Sequence, residues 1–251
     1  LGLIGPIGSM TELPDVAKLK ISTITLLYYT TREEFDRWAY TFEATTRLDG
    51  FEYEVIMFDN TPKGTEYPDR DYIRRATKKR GWRHITATQN LGFAKGINRA
   101  SKFATGDVLI FINDDIAFPA PWAEAMVLPL YEAENAVVGP KLIRPDSGDY
   151  KQYERADWVC GAVFAVRKAD FEKNGGFDER FFFMGEETDY CRFVTKLGQK
   201  VVQVDSPVIH YGGETVVAES DFYKENMQRA MELLNWKWSA EERITASMIV
   251  G

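Results

Sequence analysis

The segment 108–116 constrains the fold most, because an unbroken apolar run ends there in two adjacent carboxylates. Residues 108–112 are all apolar and three of them are β-branched, which predicts a strand buried on both faces. Asp114 and Asp115 follow where this strand leaves the core. Because open α/β sheets bind ligands outside the carboxyl ends of their strands, the sequence predicts a ligand site at this edge.

Taken alone, Asp114 and Asp115 have two interpretations. Carboxylate oxygens are preferred ligands of Mg²⁺ and Mn²⁺, and such metals commonly bridge to substrate phosphates. The alternative is a polar turn in which one of the two side chains caps the next element. The choice between them depends on the rest of the chain.

Length and composition exclude several classes of protein. A chain of 251 residues with 45% hydrophobic and 27% charged residues suits one folded domain. A formal net charge of −7 argues against nucleic acid as a partner. One basic cluster predicts either a solvated helix face or a contact with an anionic surface. Its residues are Arg74, Arg75, Lys78, Lys79, Arg80 and Arg83.

Cysteine usage and hydropathy indicate the compartment. Cys160 and Cys191 lack metal-type spacing and are interpreted as buried small side chains in a reducing environment, with one disulfide as the alternative. No stretch approaches the roughly 18 apolar residues of a membrane span. We therefore expect a cytoplasmic protein, with peripheral contact at the inner face of a membrane as an option. Residues 1–10 are expected to be a tag or a disordered segment.

Strands alternate with helices in the first half of the chain, which predicts an α/β fold with a mostly parallel sheet and right-handed crossovers. The predicted strands are 21–29, 53–58, 84–87 and 108–112, and the helices between them are 32–48, 69–79 and 94–104. Later elements are a helix at 122–130, strands at 136–139 and 159–166, a helix at 168–174, a strand at 200–204 and a C-terminal helix at 221–238.

Further polar groups follow the predicted strands. Asp59 ends the second strand, where it either contacts a bound nucleotide or caps a turn. The segment 88–98 places a glycine-containing loop before a helix, which suits an anion but matches neither the GxGxxG nor the P-loop pattern. In the acidic segment 185–192, Glu186 and Asp189 share a helix face while Glu187 points elsewhere, and all three also suit an acid-rich first turn. His210 is either structural or the third member of a Mn²⁺ site.

In this order, the segments resemble the GT-A fold inverting glycosyltransferases of family 2, which include rhamnosyl-, galactofuranosyl- and N-acetylglucosaminyltransferases. The resemblance runs from about residue 21 to residue 215. It implies a nucleotide-binding, Rossmann-like sheet flanked by helices, in a single domain at 20–215. The nucleotide-binding half would span about 20–118, the acceptor-binding half about 119–215, and a C-terminal helical extension 216–251.

The resemblance also implies roles for individual residues. Asn113-Asp114-Asp115 resembles the DxD-type motif with asparagine in place of the first acid, and the implied ligands of Mn²⁺ or Mg²⁺ are Asp115, His210 and Asp114. Glu187 corresponds to the catalytic base, with Glu186 and Asp189 as alternatives. The implied donor contacts are Tyr29, Thr30, Asp59, Asn90, Gly92, Lys95, Asn98, Asn113 and Asp114. The implied donor–acceptor junction consists of Trp158, Cys160, Gly161 and Glu186.

The function implied is metal-dependent, inverting transfer of a sugar from a nucleotide-diphosphate sugar to a hydroxyl acceptor, either a glycan, a lipid-linked molecule or a protein glycan. Segments 145–155 and 213–220 are expected to shape the acceptor pocket. A sugar nucleotidyltransferase is one alternative, but residues 28–32 lack the glycine that its N-terminal loop usually carries. A catalytically silent nucleotide-sugar-binding module is another, although Asp115 and Glu187 are both present.

Overall fold

A computed structural model describes residues 19–47, 50–132, 134–143, 145, 150–151, 157–212 and 221–238. Its strands are β1 (Lys20–Leu27), β2 (Glu52–Asp59), β3 (Arg83–Thr86), β4 (Val108–Ile112), β5 (Ile116–Ala117), β6 (Asn135–Ile143), β7 (Tyr150–Lys151), β8 (Val163–Arg167) and β9 (Lys200–His210). Its helices are α1 (Arg32–Thr46), α2 (Arg70–Lys79), α3 (Phe93–Ser101), α4 (Ala123–Val127), α5 (Lys168–Lys173), α6 (Glu186–Lys196) and α7 (Asp221–Trp238), and a 3₁₀ turn at Leu128–Tyr131 continues α4.

The described strands form one sheet in the order β3-β2-β1-β4-β8-β6-β9-β5, with β7 beside β6. β1, β2, β3 and β4 are mutually parallel, as the alternating pattern predicts. The second half of the chain joins through antiparallel pairs of β8 with β4 and with β6, while β9 is parallel to β6. The predicted α/β class is confirmed, and each antiparallel pair of the described sheet includes a strand from the second half of the chain.

Strand polarity explains why one edge of the sheet collects the polar residues. Two antiparallel steps, from β4 to β8 and from β8 to β6, make β6 and β9 parallel to β4. The carboxyl end of β9 at His210 therefore lies at the same edge as the carboxyl end of β4, and so does the amino end of β8. Since β1 lies between β2 and β4, this edge also contains a topological switch point.

The core has two layers, one on each face of the sheet. Along β4, Val108, Ile110 and Ile112 pack with α1, α2 and α4, while Leu109 and Phe111 pack with α3, α5, α6 and α7. All five side chains are buried, which confirms the predicted two-faced burial of this strand. The long apolar run before Asp114 is thus needed to fill both layers.

Several predicted boundaries differ from the structure; among them, the strand predicted at 136–139 continues to Ile143. The strand predicted at 159–166 begins only at Val163, because residues 161–162 form a turn that precedes it. The strand predicted at 200–204 continues to His210, because β9 pairs first with β6 and then with β5. Residues 1–10 and 213–220, and most of 145–155, lie outside the described residues.

Three further expectations concern the basic cluster, the two cysteines and membrane-spanning helices. The basic cluster lies on α2 and just after it, where Arg74 pairs with Asp71 at 3.0 Å and Arg80 pairs with Glu43 at 3.3 Å. This agrees with a solvated helix face, and contact with an anionic surface stays a prediction. No disulfide joins the two cysteines. Among the described helices, none has both the length and the apolar character needed to cross a bilayer.

Candidate functional site

Thr30 and Asp114 meet across the switch point between β1 and β4. The Thr30 hydroxyl donates to Asp114 Oδ2 and accepts a hydrogen bond from the Tyr28 N–H at 3.1 Å. Both side chains are buried. Burial, and then the charge of Asp115, raises the pKa of Asp114 to about 8, so the protonated form is favoured near neutrality. The predicted contact of both residues with a donor remains a prediction.

Asp115 and His210 form a pair because β5 and β9 are antiparallel. The register places Ile116 opposite His210, and the Tyr211 N–H donates to the backbone carbonyl of Asp115 at 3.0 Å. His210 Nε2 then lies 3.3 Å from Asp115 Oδ1. This carboxylate oxygen is buried and makes no hydrogen bond within the part of the chain that the structure describes. A carboxylate oxygen and an imidazole nitrogen suit Mn²⁺, so these two residues fit a divalent cation.

Asp114 does not join this pair. No cluster of three or more His, Cys, Asp or Glu side chains among the described residues is arranged to hold a metal ion. The physical reason is that Asp114 turns towards Thr30 in the loop after β1, whereas Asp115 turns towards β9. In this arrangement only Asp115 and His210 lie together, and the predicted role of all three residues as metal ligands stays a prediction.

Asn113 keeps its side chain clear of these contacts. Its backbone N–H donates to the carbonyl of Ala162 at 2.9 Å, which extends the pairing of β4 with the start of β8. The side chain is half-buried. In place of a first acid, this position offers an amide at the edge of the site.

Tyr29 presents an aromatic ring at the carboxyl end of β1. Its φ of +54° lies in the left-handed region, which is unusual for a residue other than glycine, and its side chain is 44% exposed. The Tyr29 N–H donates to the hydroxyl of Thr61 at 3.0 Å, and the ring centroid lies 5.7 Å from that of Tyr67. The two ring planes are tilted at 55° to each other, and the exposed Tyr29 ring offers an aromatic face at this edge.

Asp59 is placed at the predicted edge but faces the protein. Its Oδ2 accepts from Arg70 Nε at 2.7 Å, and its Oδ1 accepts from the Thr61 N–H at 3.0 Å. Arg70 also donates to the carbonyls of Thr61, Pro62 and Thr65. The carboxylate has no exposed surface. These contacts hold the loop after β2, and the predicted contact of Asp59 with a nucleotide stays a prediction.

Asn60 fixes the glycine-containing loop. Its amide nitrogen donates to Asn90 Oδ1 at 3.1 Å and to the Gly92 carbonyl at 3.0 Å, while its oxygen accepts from the Leu91 N–H at 3.0 Å. Asn90 Oδ1 also accepts from the Gly92 N–H at 2.9 Å. Asn90 thus shapes the loop through its side chain, and Lys95 in the first turn of α3 is exposed.

The amino end of α3 is the place where the two halves of the domain meet. The Phe93 N–H donates to the Phe182 carbonyl at 2.6 Å. Gly92 adopts φ +75°, and a Cβ there would lie 2.3 Å from that carbonyl oxygen. One of the N–H groups predicted to face an anion is therefore already occupied.

Asn98 joins α3 to a later segment of the chain, and its predicted contact with the donor stays a prediction. Its amide nitrogen donates to the Phe177 carbonyl at 2.8 Å and to Glu179 Oε1 at 3.3 Å, and its oxygen accepts from the Phe177 N–H at 2.9 Å. The side chain is buried. These hydrogen bonds join α3 to the segment after α5. Asn98 lies more than one turn from the helix end that faces the site.

Gly92→Ala is expected to destabilise the protein by about 2–4 kcal/mol, because alanine is strained at this φ and its Cβ would overlap Phe182. Urea unfolding measures the change. Gly81→Ala is the matched control, since Gly81 has a similar φ of +74° but open space around the added Cβ. Equal losses in the two variants would show that contact with Phe182 is unimportant.

Glu187 lies in a buried acidic first turn of α6. Gly185 begins the helix at φ +86°, and the four residues that follow it are all buried. Burial raises the pKa of Glu187. The Thr188 hydroxyl donates to Glu187 Oε1 at 3.1 Å, and Trp158 Nε1 donates to that hydroxyl at 3.1 Å. Trp158 thus lies beside the predicted base, and its place at a donor–acceptor junction stays a prediction.

Gly161 connects Glu187 to the acidic turn after β4. A Cβ on Gly161 would lie 3.3 Å from both Cβ and Cγ of Glu187, so the glutamate packs directly on this glycine. The next residue, Ala162, accepts the hydrogen bond from Asn113. The segment before β8 therefore lies between the predicted base and the Asn113–Asp115 turn. Cys160 is half-buried in the same segment.

The two alternatives to Glu187 differ from it in their surroundings. Both carboxylate oxygens of Asp189 are occupied, by Lys237 Nζ at 2.7 Å and by Trp238 Nε1 at 2.9 Å. Asp189 is therefore unsuited to act as the base. Glu186 is buried with its Oε2 lacking a hydrogen bond to the described residues, and burial, reinforced by the charge of Glu187, raises its pKa well above the usual value.

Comparison with known families identifies the domain. Residues 30–199 match the family model described as Glycosyl transferase family 2. The chain belongs to this family. The resemblance inferred from the motifs is thereby confirmed, and so is the expected enzyme class, a glycosyltransferase.

One relative of this glycosyltransferase is the O-antigen biosynthesis protein RfbC of Myxococcus xanthus. It is 23% identical over 217 residues, which cover 72% of this chain and 17% of RfbC. The chain thus spans only a small part of that relative.

Solved structures share the fold. GalNAc-T7 with UDP, GalNAc and Mn²⁺ superposes with a TM-score of 0.68 at 16% identity, over 88% of this chain and 50% of that one. The mannosyltransferase PcManGT from Pyrobaculum calidifontis, in complex with GDP-Man and Mn²⁺, gives 0.64 at 14% identity, over 91% and 68%. TarS of S. aureus gives 0.59 at 16% identity, over 88% and 44%. These neighbours confirm the GT-A fold.

Several residues that organise the candidate site of this glycosyltransferase were not predicted from the sequence. Asn60, Tyr67 and Arg70 lie in or beside the loop after β2, which carries no apolar periodicity. The adjacent Asp59-Asn60-Thr61 turn is the available signal, because its polar side chains require partners. Lys237 and Trp238 were missed because their contact with Asp189 joins residues about 50 positions apart.

Glu186→Gln is expected to stabilise this glycosyltransferase at pH 7.5 by about 1–3 kcal/mol, the range for burying an unsatisfied polar group. Because the folded-state pKa is raised, wild-type stability falls as pH rises above the unfolded value of about 4.5, and glutamine removes that loss. The gain should shrink towards pH 5. Urea unfolding at both pH values measures it, with the partly exposed Glu172→Gln as control. An equal change at both pH values would contradict the assignment.

Proposed function

We propose that this glycosyltransferase is metal-dependent and inverting, and that it moves a sugar from a nucleotide-diphosphate sugar to a hydroxyl of a glycan or lipid-linked acceptor. The observation that carries the proposal is the buried Asp115–His210 pair, in which one carboxylate oxygen faces an imidazole and makes no hydrogen bond to the described residues. Two structural neighbours were solved with a nucleotide or nucleotide sugar and Mn²⁺, which supports it.

The donor would bind along the carboxyl edge of β1, β2 and β4. The exposed Tyr29 ring offers a stacking surface for a base, and the Thr30–Asp114 pair closes the gap between the strands. Asp115 and His210 would hold Mn²⁺ or Mg²⁺, which stabilises the negative charge of a departing diphosphate. The loop after β2 is held by buried hydrogen bonds and would offer a fixed surface to the ligand.

Glu187 would act as the general base. Its carboxylate accepts the proton of the acceptor hydroxyl as the hydroxyl oxygen attacks the anomeric carbon, opposite the diphosphate that leaves. One attack of this kind inverts the configuration. The raised pKa brings the carboxyl group closer to the operating pH, which favours general-base catalysis. Thr188 and Gly161 keep the side chain in place.

The name of the RfbC relative indicates a class of acceptor. Because that protein is described as acting in O-antigen biosynthesis, we propose a growing surface polysaccharide as the acceptor of this chain as well. Membrane contact through the basic face of α2 would bring the enzyme to a lipid-linked form of such an acceptor.

A panel of nucleotide sugars tests the proposal. The protein is incubated with each donor and Mn²⁺, and nucleotide release is measured with and without EDTA. Turnover of at least one donor, abolished by EDTA and restored by Mn²⁺, is expected. Nuclear magnetic resonance of the product then reports the anomeric configuration, which should be opposite to that of the donor. No turnover of any donor, together with no thermal shift, would contradict the proposal.

A further inference from the structure

Helix α7 lies outside the segment that matches the family model, yet it packs along the segment 183–189, which leads into α6. The match ends at residue 199, and α7 spans Asp221–Trp238, about 27 Å of helix. Its buried residues Met227, Ala230, Leu234 and Trp238 belong to the same core layer as α6. This helix is thus an addition to the matched domain that is packed against its site.

Three successive contacts align α7 with the segment before and within α6. At its start, the Phe222 ring lies 6.0 Å from that of Phe183. In its middle, Ala230 is so close to Gly185 that a Cβ on the glycine would lie 3.3 Å from the Ala230 Cβ. At its end, Lys237 and Trp238 bind Asp189. The order of contacts is the same along both segments.

The last contact is the most polar. Lys237 Nζ lies 2.7 Å from Asp189 Oδ2 and 2.9 Å from Asp178 Oδ2, and the Trp238 indole N–H donates to Asp189 Oδ1 at 2.9 Å. Asp189 is buried, and only 26% of the Lys237 side chain is exposed. Arg180 also pairs with Asp178 at 2.5 Å. Such a partly buried network fixes orientation better than a surface ion pair does.

This contact is made with the first turn of the helix that carries Glu187. Asp189 and Glu187 share the first turn of α6, so a rotation of that turn moves both side chains. Glu187 packs 3.3 Å from the position of a Gly161 Cβ, which leaves little room for rotation. We infer that Lys237 and Trp238 are positioning residues for transfer, because they hold Asp189 and thereby keep Glu187 against Gly161. The inference rests on the proposed role of Glu187 as base.

Steady-state kinetics of four variants tests it. Nucleotide release is measured with Mn²⁺, the donor that the panel identifies, and water as the acceptor. Lys237→Met is expected to lower kcat by about 10²-fold, as a small misplacement of a catalytic group does, without changing the KM for the donor. Lys237→Arg should restore most of the activity. Trp238→Phe, which keeps an aromatic ring but removes the indole N–H, should lower kcat by about tenfold. Lys224→Met is the control on the exposed side of α7.

Thermal unfolding separates positioning from folding. If Lys237→Met is poorly folded, Trp238→Phe and Lys237→Arg decide the matter. A folded Lys237→Met with wild-type kcat overturns the inference. The inference also fails if the activity of Lys237→Met falls no more than its folded fraction does, or if only the KM changes. An equal loss of activity in Lys224→Met overturns it as well. An inactive wild-type protein contradicts the proposed function, and with it the inference. Wild-type activity that survives both substitutions contradicts the inference alone.

Discussion

Replacing Glu187 with glutamine is expected to lower kcat by about 10²–10⁴-fold, the usual contribution of a general base. The amide keeps the size of the side chain and its contact with Gly161, but it cannot take up the acceptor proton. Since burial raises the pKa of the wild-type carboxyl, wild-type kcat should fall on acidification with an apparent pKa above that of an ordinary glutamate. The variant should lose this limb of the pH profile.

The neighbouring glutamate supplies the matched control. Glu186→Gln makes the same chemical change in the same buried turn, one residue away, and should retain most of the turnover. Nucleotide release from the donor found in the panel measures both variants, and circular dichroism verifies their fold. If Glu186→Gln loses activity while Glu187→Gln keeps it, the assignment of the base is wrong and belongs to Glu186.

The sheet edge could be predicted because its signals are local. The apolar run of β4 requires burial on both faces, so Asp114 and Asp115 must emerge at the edge. The parallel order of β1 to β4 follows from alternating periodicities in neighbouring segments. The contact between His210 and Asp115 could not be predicted in this way, because the antiparallel pairing of β5 with β9 leaves no local mark in the sequence.

Other parts of the site depend on contacts between distant residues. Asp59 and Asn98 both carry side chains that suit a ligand, and sequence alone does not show that Arg70 and Phe177 already bind them. The same holds for Asp189, whose partners lie on the last described turn of α7. In each case a polar side chain is used to join elements, because buried polar atoms require partners wherever they are placed.

These internal contacts separate the polar side chains of this edge into two groups. One group holds loops and helices in place, and the other remains available to a ligand. The carboxylates of Asp59 and Asp189 are saturated by cations or N–H groups, so they hold loops and helices. By contrast, Asp115 keeps a buried carboxylate oxygen without a hydrogen bond to the described residues. An unsatisfied buried oxygen costs stability, about 1–3 kcal/mol, and such a cost is typical of groups reserved for a ligand or for catalysis.

Asp115→Asn is expected to weaken Mn²⁺ binding and to lower turnover by about 10²–10³-fold at a fixed Mn²⁺ concentration, because it removes the one charged member of the proposed ligand pair. Stability should not fall, since Asp115 Oδ1 makes no hydrogen bond to the described residues that the substitution would break. Binding is measured directly, by electron paramagnetic resonance titration of Mn²⁺ with nucleoside diphosphate present, so that the result does not depend on catalysis.

His210→Gln and Asp71→Asn complete this comparison. His210→Gln keeps one potential ligand atom and should weaken Mn²⁺ binding less than Asp115→Asn does, because the carboxylate charge remains. Asp71 lies on exposed α2, where it pairs with Arg74, and its replacement should change neither binding nor turnover. If Asp115→Asn binds Mn²⁺ as tightly as the wild-type protein, the cation is not held at the carboxyl end of β9. The buried Asp115–His210 pair would then be a structural contact between β5 and β9, and the charge on the departing diphosphate would have to be stabilised by side chains elsewhere on the edge.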